Sequence, residues 1–245
     1  MTHISPAIIM RTRDLGESDL LVTFFTPDRG QLTGIAKGAR KSRKRFANCL
    51  DLFCLVNMEY EPQRKSSLFF LHSGKLVKTF CGLRTDFSSL ALASYLVELT
   101  EILFPTGVVE LDMFELLKNS YNSLNEGRNN EIIRIFFEAR AMMLAGYGIN
   151  FERCCKCGRT YTGKGRAVFQ ADKGGISCLG CEHESRLSPG MGADTINQFK
   201  VMQSEPETKW GKLSLTGEMI EEIKPVLKLH IEYRTGRRLK TAKYL

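Results

Sequence analysis

Through residue 80 the hydrophobic positions come in short β-branched and aromatic runs separated by turn residues, the pattern of brief strands. Ser5 to Arg13 is the first run and ends near Asp14 and Gly16. Ser18 to Thr26 is the second, followed by Pro27-Asp28-Arg29-Gly30, a turn that opens on proline and closes on glycine. Gln31 to Lys37, Asp51 to Tyr60 and Ser67 to Val77 complete a set of five. From Asp86 the period changes to three and four. Leu92, Tyr95, Leu96, Leu99, Ile102 and Leu103 predict a helix capped by Ser88 or Ser89 and broken at Phe104-Pro105-Thr106-Gly107. Leu111, Phe114, Leu117, Tyr121 and Leu124 predict a second helix over 109–124. Ile132, Ile133, Phe136, Phe137, Met143 and Leu144 predict a third over 130–147, stopped by Gly146 and Gly148.

Further on, 166–170 and Ile176 flank Lys173-Gly174-Gly175 and predict a β-hairpin. Asp194 is placed to cap a short helix carrying Ile196, Phe199, Val201 and Met202. Thr216 is placed to cap a last long helix with Ile220, Ile223, Leu227 and Ile231, kinked at Pro225 and ended by Gly236. The class is therefore α+β. Five strands in so short a segment predict a small closed barrel, an OB-fold first and an SH3-like barrel as the alternative. The predicted organisation is a barrel over 1–80, a helical domain over 81–150 and 183–245, and a separate module over 151–182.

Charge sharpens this picture. The 245 residues carry a net +8, but residues 1–80 hold +6 of it while 81–150 are net −4. Between the third and fourth strands lies Lys37-Gly38-Ala39-Arg40-Lys41-Ser42-Arg43-Lys44-Arg45-Phe46, with six cations and no acid. Such a run cannot enter a core, since each charge would need a partner. On a barrel loop, Lys37, Arg40, Lys41, Arg43, Lys44 and Arg45 form a cationic arm suited to a phosphate backbone. A solvated loop or an acidic protein partner is the competing use. Phe46 is placed either to stack on a base or to plug the barrel rim.

The strongest chemical signal is the cysteine pattern. Cys154/Cys157 and Cys178/Cys181 are two Cys-x-x-Cys pairs at the spacing of a four-thiolate zinc site. Zinc takes four soft ligands in a tetrahedron, and four thiolates leave no open position, so the metal reads as a structural staple. A disulfide pair or an iron–sulfur site is the alternative. Cys155 and His183 are possible substitute ligands. The module's Arg153, Lys156, Arg159, Lys164 and Arg166 serve either DNA or solubility.

Gly16-Glu17-Ser18-Asp19-Leu20, Thr26-Pro27-Asp28-Arg29-Gly30 and Ala36-Lys37-Gly38-Ala39-Arg40 resemble, in that order, the N-terminal signature of the RecO family of bacterial recombination mediators. The closing Tyr233-Arg234-Thr235-Gly236-Arg237-Arg238-Leu239-Lys240 is similar to that family's last segment, and the four-cysteine insert falls where zinc-bearing members have theirs. The resemblance implies an N-terminal OB-fold, a helical body and a zinc module. It also implies binding and annealing of single- and double-stranded DNA, cooperation with RecR, and contact with the tail of single-strand DNA-binding protein. No Walker-type phosphate loop, His-Glu-x-x-His or deaminase signature is present, so no catalytic residues are expected. With no signal-like start and no apolar run of roughly 20 residues, a cytoplasmic, nucleoid-associated protein follows, with no membrane partner. The alternative function is a zinc-ribbon adaptor whose basic loop holds an acidic protein.

Overall fold

The structure, a computed structural model, describes residues 1–64, 66–206 and 214–245. Its chain divides into two compact units, one formed by 1–130 with Tyr244–Leu245 and one by Glu131–Lys243.

The first unit opens with β1 (His3–Leu15), β2 (Asp19–Thr26), β3 (Gly30–Ala36), β4 (Leu55–Pro62) and β5 (Phe69–Lys78). They close a barrel in the order β1-β2-β3-β5-β4, with β4 returning to β1. Within this barrel, among the described residues, β3 and β5 alone pair in parallel. The alternation that identified the strands fills the interior with Val22, Phe24, Leu32, Val56, Met58, Tyr60 and Leu71. A bulge in β1 between Ile9 and Arg11 breaks that alternation, and Ile8, Ile9 and Met10 are all buried. The fourth strand begins at Leu55 rather than Asp51. Phe53 turns the chain at φ 66°, and its ring meets the edge of Tyr121 at 5.6 Å, so this aromatic packs outside the barrel.

Two helices complete the unit, α1 (Phe87–Leu103) and α2 (Leu111–Asn125). The cap of α1 is Asp86, whose carboxylate accepts the Ser89 amide at 2.8 Å and the Ser89 hydroxyl at 2.9 Å. The expected serine cap is thus the donor to an aspartate cap one position earlier than Phe87. Glu110 caps α2, where Leu111 is 55% exposed and Met113 takes its place in the core. Arg11 of β1 and Glu101 of α1 form a bidentate ion pair with contacts from 2.5 Å. Phe104 meets Phe25 of β2 edge-on at 6.5 Å.

The second unit holds α3 (Asn130–Leu144), a four-stranded sheet and α4 (Ala193–Ser204) and α5 (Gly217–Thr235). Its strands β6 (Asn150–Cys154), β7 (Ala167–Gln170), β8 (Gly175–Cys178) and β9 (Gly190–Met191) lie in the order β6-β8-β7-β9. Phe151, Phe169, Ile176 and Met191 of the sheet share one core with Phe136, Phe199, Val226 and Leu227 of the helices. The expected Asp194 cap of α4 is replaced by Gly192, whose amide donates to the Glu222 carboxylate at 2.9 Å. Thr216 caps α5 by accepting the Met219 amide, the helix runs on past Pro225, and Gly236 ends it at φ 66°. Among the described residues no helix is long and apolar enough to cross a membrane.

Candidate metal centre and nucleic-acid interface

Two local devices bring the four cysteines together. Cys154 closes β6, and its carbonyl accepts the amide of Gly158, which turns at φ 74°. Cys178 closes β8, and its carbonyl accepts the amides of Cys181 and Glu182. The β7–β8 hairpin turns at Gly174 (φ 59°) and sets β8 beside β6, with Cys154 in register with Ile176. The Sγ atoms of Cys154, Cys157, Cys178 and Cys181 then all lie within 4.8 Å of one another.

This geometry fits one ion. A tetrahedron with bonds of about 2.3 Å has sulfur–sulfur edges of roughly 3.8 Å. The Cys157 and Cys178 sulfurs are 3.9 Å apart, nearly twice a disulfide bond of about 2.05 Å. The electrostatics agree. Burial pushes the Cys154 thiol up, but the amides of Cys157, Cys178 and Lys156 aim at its sulfur and bring it down to about 6. Cys181 is pushed up to about 12, chiefly because it shares hydrogen bonds with Cys178 and Cys157. Four sulfurs this close need a cation before all can be thiolates.

Cys155 points elsewhere, to the Ser177 hydroxyl at 3.1 Å. His183 is not part of the four-sulfur group. Of the module's cations, Lys156 pairs with Glu182, tying one knuckle to the other. Arg166 is held between Glu184 at 2.6 Å and Glu222 at 2.5 Å, which raises its already high pKa. Those two are engaged within the fold.

The six cations between β3 and β4 all lie on the surface, yet the structure sorts them. Ala39 and Phe46 are buried in the barrel core, so Phe46 is a plug and pins the segment near both ends. Arg40 pairs with Asp14 at 3.5 Å. Arg45 donates to the Lys37 carbonyl at 2.7 Å and lies over the Phe46 ring. Lys41, Arg43 and Lys44 are exposed and make no ion pair among the described residues. Spacing alone did not indicate the anchor of this loop. The Gly38 amide donates to Asp19 at 2.8 Å, and the Arg40 amide donates to the Ser18 carbonyl at 3.0 Å. Gly16-Glu17-Ser18-Asp19 and Lys37-Gly38-Ala39-Arg40 are distant in sequence but form one hydrogen-bonded unit.

Comparison with known proteins covers nearly the whole chain. Residues 1–80 match the family described as Recombination protein O N terminal, and 84–243 match Recombination protein O C terminal. The chain is similar to the "DNA repair protein RecO" of Syntrophus aciditrophicus (strain SB), 32% identical over 247 residues, covering 100% of this chain and 95% of that protein. It is 38% identical over 177 residues to the protein of the same name from Syntrophobacter fumaroxidans, covering 72% of this chain and 70% of the other. The corresponding Anaeromyxobacter sp. (strain K) protein is 31% identical, with 97% and 93% covered.

Proposed function

The chain belongs to the RecO family of recombination and DNA repair proteins, and from that membership we propose that it is a recombination mediator that binds DNA and has no catalytic chemistry of its own. The barrel, residues 1–80, is the DNA-binding part. Lys37, Arg40, Lys41, Arg43, Lys44 and Arg45 hold single- and double-stranded DNA through phosphates, so sequence preference is low. Laying two strands on one cationic surface reduces their mutual repulsion and promotes annealing. RecR and the tail of single-strand DNA-binding protein are the protein partners, and the setting is the cytoplasm, at the nucleoid. The observation that carries this reading is the pinned loop whose Lys41, Arg43 and Lys44 point outward without a carboxylate partner among the described residues.

Zinc is the metal proposed for Cys154, Cys157, Cys178 and Cys181. A closed set of four thiolates gives it a structural role, joining the two knuckles of the second unit. Its chemistry when bound is charge neutralisation of the four sulfurs. The chain's own residues orient them, through the amides that donate to Cys154.

Binding titrations over a range of salt test the electrostatic picture. The logarithm of the association constant should fall with the logarithm of salt, by about 0.7 for each phosphate neutralised on a single strand. Affinity that ignores ionic strength would remove the loop from the DNA contact.

A further inference from the structure

The cationic loop begins and ends on the same strand. At its start, Lys37 Nζ lies over the Phe70 ring, 5.7 Å from the centroid. At its far end, the Arg45 carbonyl accepts the Gly74 amide at 2.8 Å. Phe70 and Gly74 both belong to β5, so the two ends of the arm touch one strand, and the Lys37 end does so through a side chain on that strand's outer side. Alternation decides which side chains lie there. Leu71 is fully buried in the barrel core, and Phe69 packs against the same core. Phe70, between them, points outward, beside Ile35 in the parallel β3–β5 pairing.

The ladder between β4 and β5 slips beside Phe70. Tyr60 faces Leu71, yet Glu59 faces Ser73, so His72 is an extra residue in β5. Such a bulge bends a strand and re-aims a side chain. Here the His72 ring stands edge-on to Phe70 with centroids 5.0 Å apart. The result is a half-buried aromatic pair that the barrel core does not use, with Lys37, the first cation of the arm, on one side and on the other Glu61, which faces Phe70 across the ladder and lies 3.3 Å from His72 Nε2.

We infer that Phe70, supported by His72, is a base-stacking platform for single-stranded DNA whose phosphates are held by Lys41, Arg43 and Lys44. The inference rests on the reading of the loop as the DNA contact and adds the class of strand it prefers. An unpaired base offers a free π face, which an aromatic ring accepts whatever the base. In a duplex that face is already covered by its neighbours, so Phe70 adds affinity for single strands alone. Phosphate contacts by the loop serve both forms. The two together give one surface that holds any DNA and favours the unpaired strand.

The alternative for Phe70 is a purely structural cross-strand contact with Ile35, and the variants are chosen to separate the two. Phe70→Ile keeps a β-favouring apolar residue and removes the π face, whereas Phe70→Tyr keeps both. Affinity is measured for an oligothymidylate and for a blunt-ended duplex of two complementary strands of equal length. Phe70→Ile should weaken oligothymidylate binding roughly tenfold and duplex binding less than twofold, with Phe70→Tyr close to the parent. Equal losses on both forms, or none on the single strand, overturn the platform. A second readout covers the case in which Phe70→Ile folds poorly. Phe70→Trp in a Trp210→Phe background should show tryptophan quenching on oligothymidylate and none on the blunt-ended duplex, and an unquenched tryptophan on bound oligothymidylate overturns it equally. Alanines at Lys41, Arg43 and Lys44 distinguish the two failures. If they abolish binding while Phe70→Ile does nothing, the loop stands and the platform falls. If neither affects binding, both fall.

Discussion

The carboxylate of Asp19, at the start of β2, accepts the backbone amide of Gly38, at the start of the cationic loop, at 2.8 Å. Ser18 donates to the same carboxylate at 3.0 Å, and Gly38 holds the left-handed φ of 64° that lets its amide face Asp19. The Gly38 amide, then the Ser18 hydroxyl and the charge of Lys37, keep the Asp19 carboxyl below its usual range. Asp19 is thus a carboxylate among the anchors that hold the start of the loop.

That anchor separates position from charge. Asp19→Asn keeps an oxygen for the Gly38 amide and removes a negative charge from beside the cationic loop. Asp19→Ala removes both. The asparagine variant should bind DNA at least as tightly as the parent, and the alanine variant several-fold more weakly than the asparagine one, because a loosened loop must be ordered on binding. Anisotropy titrations decide it. Equal affinities for the two variants would show that the anchor is irrelevant to binding.

The loop cations should also divide by their contacts. Lys41, Arg43 and Lys44 have no internal ion pair among the described residues, whereas Arg40 and Arg45 are tied to Asp14 and the Lys37 carbonyl. Replacing the first three with alanine should reduce the salt slope on single strands by about 2. Unfolding free energy should stay within about 0.5 kcal/mol, as for most surface changes. A large stability loss with an unchanged slope would reverse the assignment.

How much of this could be read beforehand follows from where each residue's information lies. The barrel strands were legible because side chains alternate, as in β3, where Leu32, Gly34 and Ala36 face in. Asp51 to Cys54 read as strand by composition, but Phe53 packs on Tyr121, a contact no local pattern encodes. Ser88 and Ser89 are good caps by type, and Asp86 displaced them because its carboxylate receives both donors of Ser89. The four cysteines were legible because ligand spacing is local. The sorting of the loop cations was not, since Asp14 and Asp19 come beside the loop only when β1, β2 and β3 pair, and Arg45 meets the Lys37 carbonyl only when the loop folds back on itself.

Gly30 should be irreplaceable. It ends the β2–β3 turn at φ 64°, and a Cβ there would lie 1.9 Å from the Val108 carbonyl oxygen. The backbone conformation alone costs an alanine about 1–3 kcal/mol. The overlap adds to that, because a backbone carbonyl has to move. Urea unfolding of Gly30→Ala should show a loss above about 2 kcal/mol. Gly16→Ala is the control, with a similar φ of 67° and nothing within 4 Å. A loss no larger at Gly30 than at Gly16 would mean the Val108 loop yields freely.

The metal centre predicts a stability difference confined to four sulfurs. Metal analysis should find about one zinc per chain. Cys157→Ser should lose it and unfold at lower temperature, and a strong chelator should do the same to the parent. Cys155→Ser should keep the zinc and the parent melting temperature, because Cys155 faces Ser177. Zinc retained at full occupancy by Cys157→Ser would point to a different ligand set.

His230 gives the second unit a pH dependence whose sign can be worked out. Its ring is 1% exposed, edge-on to Phe169 at 5.5 Å, with Nε2 2.5 Å from the Tyr147 carbonyl oxygen. Burial lowers its pKa, the bond to Tyr147 partly restores it, and the Arg234 charge lowers it again, leaving it below 6.5. The unfolded chain therefore takes up a proton before the folded one does. Stability from the neutral ring is complete above the unfolded pKa of about 6.5 and is lost as pH falls toward the folded value, by at most about 1.4 kcal/mol per pH unit. His230→Gln keeps a donor for Tyr147 and cannot titrate. Urea unfolding between pH 5 and 8 should show the parent losing stability faster than this variant on acidification. Parallel curves would mean that His230 carries no proton linkage.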